Sequence, residues 1–122
     1  MGVPAAVREF LGERHPEALE LALWVREAVL AAEPDMSERV YRGWDGIGFR
    51  HPDAGYICAI YPRGGEVRLL FEHGVRLGDP DGLLEGDGGQ TRHVTVRAAD
   101  ERLGEALRRL IHDAVAERLF RR

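Results

Sequence analysis

Apolar residues recur at helical spacing early in the chain, alternate with polar ones in the middle, and return to helical spacing at the end. Residues 3–11 predict a short helix that Gly12 ends. Residues 15–34 predict a stronger one, with Pro16 suited to a first turn and Pro34 stopping it. Leu21, Trp24, Val25, Ala28, Val29 and Ala32 would form its buried face, and Glu17, Glu20 and Glu27 the solvent face. Ser37 is expected to cap one short turn. Ile47 and Phe49, alternating with Gly46 and Gly48, make a weak strand.

"YICAIYP" is apolar on both faces, so it reads as a central strand. Across "RGG" follows "EVRLLFEH", with Val67, Leu69 and Phe71 pointing one way and Arg68, Leu70 and Glu72 the other. A Gly-Gly turn between two strands predicts a hairpin. "TRHVTVR" alternates again, with Val94 and Val96 inward and Thr91, His93 and Thr95 outward. Asp100 then caps a final helix whose stripe is Leu103, Leu107, Leu110, Ile111, Ala114 and Val115. Glu105 with Arg109 and Glu117 with Arg121 are spaced for ion pairs along it. The order predicts an α+β fold: a single domain over residues 1–122, with an antiparallel sheet and N- and C-terminal helices on one face.

Composition narrows the function. All 17 basic residues are arginine, and the net charge of −4 argues against general nucleic-acid affinity. No apolar run approaches the roughly 20 residues that span a bilayer, and the first residues lack a secretory pattern. A cytoplasmic protein without membrane contact is the expectation. A single cysteine, Cys58, excludes an internal disulfide and a cysteine-based zinc site. In mid-strand it reads as buried and inert. Ser37 is the only serine and is expected in a capping role, so a serine triad has little support. No spacing selects a pair of carboxylates for acid–base work, and a non-catalytic protein is expected.

The most unusual stretch is "HGVRLGDPDGLLEGDGGQTRHV". As a calcium loop from Asp79 it puts Leu84 at the glycine position and Gln90 at the bidentate glutamate. As a P-loop it lacks the first glycine and the lysine, and as a dinucleotide fingerprint it has Thr91 in place of glycine. It reads instead as a structural connector. Asp79, Pro80 and Gly82 make a turn, Leu83 and Leu84 anchor it to the core, and Arg92 is expected to pair with Asp79 or Glu85.

The same stretch, with "VRLLFE" before it, resembles the central signature of the YdhG-like family of unknown-function domains. The matching residues are Phe71, Gly74, Leu77, Asp79, Pro80, Leu83, Leu84, Glu85, Gly86, Arg92, His93 and Val94. "AAEPDMSERVYRGW" is similar to a second family region, so the likeness runs from about Ala18 to Leu119. Gln90 departs from the pattern, standing where a lysine usually follows glycine. The resemblance implies an α+β fold. Through members described as frataxin-like iron chaperones, it also implies iron binding and delivery.

Two sites are therefore expected. Glu13, Glu17 and Glu20 repel one another at helical spacing, which a hard cation such as iron would relieve; Glu17 and Glu20 are the candidate ligands. The plainer alternative is a solvated helix face, and no cofactor is required. The second site is the outward sheet face, where His93 and Arg68 would meet a small ligand or protein partner, with Arg92 and Trp44 as further candidates. Ordinary cross-strand pairing is its alternative. His15, His51 and His112 are expected to face solvent, and His73 to satisfy backbone groups on the core side. Nothing in the pattern indicates an oligomeric state.

Overall fold

The computed structural model describes residues 2–121. Helix α1 (Ala5–Arg14) is followed by a 3-10 turn at Pro16–Ala18, then by α2 (Leu19–Ala32). Five strands follow: β1 (Ser37–Tyr41), β2 (Gly46–His51), β3 (Gly55–Arg63), β4 (Glu66–Phe71) and β5 (Arg92–Val96). Helix α3 (Glu101–Phe120) closes the chain. The strands pair in sequence order, each antiparallel to its neighbour. The α+β class is as the residue pattern predicts.

The core lies between the helices and one sheet face. Phe49, Cys58, Ile60, Leu69, Phe71, Val94 and Val96 face Phe10, Leu11, Val25, Val29, Leu107 and Ile111. Each fully buried Phe, Leu or Ile contributes roughly 1.5–3 kcal/mol over exposure. Asp100 caps α3 by accepting from the Leu103 amide at 3.0 Å. No helix among the described residues is long and apolar enough to cross a membrane.

Four local expectations are corrected. Helix α1 runs through Gly12 to Arg14. Burial of Val7, Phe10 and Leu11 outweighs the roughly 1 kcal/mol helix penalty of glycine, and Glu13 joins the helix. Ser37 opens a strand instead of capping a turn, and its hydroxyl donates to the Arg50 carbonyl at 3.5 Å. Residues 16–18 form a separate 3-10 turn ahead of α2. Arg109 bonds Asp81 at 2.9 Å rather than Glu105, whereas Glu117 does pair with Arg121.

Candidate binding face

Among the side chains pointing away from the core, two rows run across the whole sheet. One row reads Tyr41, Gly46, Tyr61, Arg68 and Thr95; the next reads Arg39, Gly48, Ala59, Leu70 and His93. The glycines exist to seat aromatic rings. A Cβ at Gly46 would lie 2.7 Å from the Tyr61 ring and 2.9 Å from the Ile60 carbonyl oxygen. One at Gly48 would lie 2.8 Å from the ring of Tyr41 and 3.4 Å from that of Tyr56. The tyrosines thus lie flat over β2, and the glycines are buried beneath them.

Trp44, in the β1–β2 turn, extends this layer. Its ring stacks on Tyr41 with centroids 4.1 Å apart and planes 15° apart, and meets Tyr56 edge-on at 6.3 Å. Even so, Trp44 remains 52% exposed. Burial pushes the hydroxyls of Tyr56 and Tyr61 above the ordinary phenol range, so both stay neutral hydrogen-bonding groups. The face is therefore aromatic, in contrast to the polar surface expected from Thr91, His93 and Thr95 alone.

Beside Tyr61 lies a cleft of about 270 Å³ lined by Tyr61, Arg63, Arg68, Leu70 and His93. Strand pairing brings Arg68 and His93 there, since Arg68 lies opposite Thr95 and His93 is two residues from Thr95 along the same strand, on the same face. Among the described residues neither Arg63 nor Arg68 has an ion-pair partner, and the buried Nε of Arg68 has no hydrogen-bond partner. His93 is held from the far side, its Nε2 lying 3.5 Å from Glu85 Oε1. The cleft combines an apolar wall with guanidinium donors free to meet an anion.

A second cleft, of about 420 Å³, shares Tyr61 and Arg63 with the first and adds His15, Trp44, Asp45, Pro62 and Gly64. Its only acid is already matched. Asp45 Oδ1 accepts from His15 Nε2 at 2.9 Å and from Arg14 Nη1 at 3.3 Å. His15 is therefore no solvent-facing residue: its ring also packs edge-on against Phe10 at 5.5 Å.

Arg92 does not line this face. Its Nη1 donates to the carbonyls of Gly88 and Thr91, each at 2.7 Å, so the expected pairing with Asp79 or Glu85 is replaced by bonds to backbone. Asp79 has its own role, accepting from the amides of Leu83 at 2.8 Å and Leu84 at 2.9 Å. That leaves Pro80 and Gly82 at the turn, with Gly82 at φ 66°, and packs Leu77, Leu83 and Leu84 against the core. Beyond Gly86, at φ 113°, the chain turns toward β5. Glu85 and His93 exchange backbone hydrogen bonds of 2.7 and 3.0 Å, which covers part of the β5 edge.

The remaining candidates lie elsewhere. Glu17 and Glu20 are exposed, in the 3-10 turn and the first turn of α2, while Glu13 pairs with Arg42 at 3.4 Å. Among the described residues no three histidine, cysteine, aspartate or glutamate side chains gather in a metal-holding group. Asp79 and Asp81 serve different partners, the loop amides and Arg109. His51 is not solvent-facing: its Nδ1 accepts from the amides of Asp53 at 3.1 Å and Ala54 at 3.3 Å. His112, by contrast, is exposed and bonds Glu33 at 2.7 Å. His73 does not bond backbone through Nδ1, which is buried without a partner among the described residues. Burial raises the pKa of Cys58, leaving an inert thiol.

The residues missed in the sequence are Tyr41, Tyr56, Tyr61 and Arg63. Their only local signal is Gly46 and Gly48 at alternate positions between tyrosine-bearing strands. Compared with protein-family models, with curated proteins and with solved structures, the chain matches none.

Proposed function

We propose that the protein is a non-catalytic binding module that takes a small anion on its outer sheet face, between Arg63 and Arg68 and beside His93. The observation carrying this reading is that Arg63 and Arg68, which have no ion-pair partner among the described residues, line a 270 Å³ cleft with an apolar wall. Guanidinium groups present planar donor pairs matched to carboxylate and phosphate oxygens. The cationic cleft is local and sits on a chain whose net charge is −4, which favours a compact ligand over a long polyanion. The test is an NMR titration with inorganic phosphate and with acetate. Shifts confined to the amides of Tyr61, Arg68, Leu70 and His93, and lost in Arg68→Gln, support the site; scattered shifts that persist in the variant refute it.

A second reading is ferrous iron carriage, in keeping with the proposed YdhG-like kinship and frataxin-like relatives. Its support is that Glu17 and Glu20 are exposed and have no ion-pair partner among the described residues. Anaerobic titration with ferrous iron tests it. Binding that weakens in the Glu17→Gln/Glu20→Gln double variant supports these ligands, and identical isotherms remove them.

A further inference from the structure

The two clefts adjoining Tyr61 differ in chemistry, and that difference selects a ligand class. The first offers the guanidinium groups of Arg63 and Arg68, neither of which has an ion-pair partner among the described residues. The second offers the half-exposed Trp44, already stacked on Tyr41, while its carboxylate, Asp45, is paired with Arg14 and hydrogen-bonded to His15. An anion gains most in the first cleft and a flat, uncharged surface in the second. Because both are lined by Tyr61 and Arg63, one ligand can occupy the two at once.

We propose that the outer face takes a planar ring bearing a carboxylate or phosphate, with the anionic group at Arg63 and Arg68 and the ring laid past Tyr61 toward Trp44. This deepens the anion-binding reading and rests on it. Tyr41 and Trp44 form a two-ring stack anchored on the sheet, and the ligand ring becomes its next layer. Arg63, at the boundary, can serve the anion and the ring face together, since guanidinium groups stack on aromatic rings while keeping their donors free. The rings lose little freedom on binding, because Tyr61 is already seated over Gly46 and Tyr41 over Gly48.

Calorimetry on the full chain with phenyl phosphate, cyclohexyl phosphate and inorganic phosphate tests the proposal. Phenyl phosphate should bind about fivefold or more tighter than the other two, the scale expected for one stacked ring. Trp44→Ala should abolish that preference and leave phosphate binding unchanged; Arg68→Gln should weaken all three. Equal binding of phenyl and cyclohexyl phosphate, or a preference that survives Trp44→Ala, overturns the ring-stacking claim and leaves the anion site standing. No binding of any of the three by a protein with native-like NMR dispersion overturns both. Trp44 is exposed, so its replacement leaves the core intact; Trp44→Phe, which restores a flat ring, should recover most of the preference.

Discussion

Arg26 on α2 grips Glu38 on β1 through two parallel bonds, Nε to Oε2 and Nη2 to Oε1, both 2.7 Å long. The side chains are only 7% and 13% exposed, so this ion pair sits inside the contact between helix and edge strand. The hydrogen bond to Glu38 holds the Arg26 pKa above its ordinary value. Arg26→Met should cost about 3–5 kcal/mol by stranding the carboxylate, whereas Arg26→Met with Glu38→Leu should recover most of the loss. Urea unfolding of the two variants distinguishes them. A single variant as stable as the double would show the carboxylate hydrated after all.

Gly74 carries a sharper constraint than its loop position suggests. An added Cβ would stand 2.6 Å from Arg92 Cβ and 2.7 Å from the Arg92 backbone nitrogen, where β5 begins. Backbone cannot swing aside as a side-chain tip can. Gly74→Ala should therefore cost about 1–3 kcal/mol, the range for overpacking. Gly78, four residues on, has nothing within 4 Å of such an atom. Gly78→Ala should be neutral or stabilise by up to about 1 kcal/mol. Equal melting midpoints for the two alanines would contradict the packing account.

The Asp79 carboxylate and the Arg92 guanidinium each hold the connector by its backbone, from opposite ends. Asp79→Ala frees two loop amides and should cost about 0.5–2 kcal/mol, like loss of a helix cap. Arg92→Ala should cost about as much, and the double variant should be close to additive because the two side chains share no partner. Limited proteolysis between residues 79 and 91 reads the same effect locally. Cleavage unchanged in both variants would mean the leucines alone hold the connector.

Much of this architecture could be read from residue order, and the failures have definite causes. β4, β5 and α3 follow their hydrophobic periods, because Val67, Leu69, Phe71, Val94, Val96 and, on α3, Leu107, Leu110, Ile111, Ala114 and Val115 are buried as spaced, with Leu103 half-buried at the start of the stripe. β1 did not, since its core-facing positions include Glu38, whose burial depends on Arg26 in a different element. No local pattern marks a charge that a distant residue neutralises. The binding face failed for a similar reason. Tyr41, Tyr56 and Tyr61 meet only through strand register, and that register slips at Phe49/Arg50, where Ile57 has no partner on β2. A one-residue bulge changes which side chains share a face. Arg68 and His93 could be placed together because a plain alternating pair needs no such correction.

The His73 imidazole gives the fold a predictable acid sensitivity. Its Nδ1 is buried without a partner among the described residues, beside Glu117 and Arg118, in a cavity of about 10 Å³ that Tyr56, Ile57 and Phe71 also line. Burial, with Arg118 adding to it, lowers its pKa below the ordinary 6.5. The unfolded chain therefore takes up this proton at a higher pH than the folded one. The folded state keeps its full advantage above about pH 6.5, and loses it as pH falls through that value toward the depressed folded pKa. Urea midpoints of the native chain should accordingly drop between pH 7 and pH 5 by more than those of His73→Gln, which fills much of the same space and does not titrate. Parallel pH profiles for the two proteins would show that protonation of His73 contributes nothing to the acid limb.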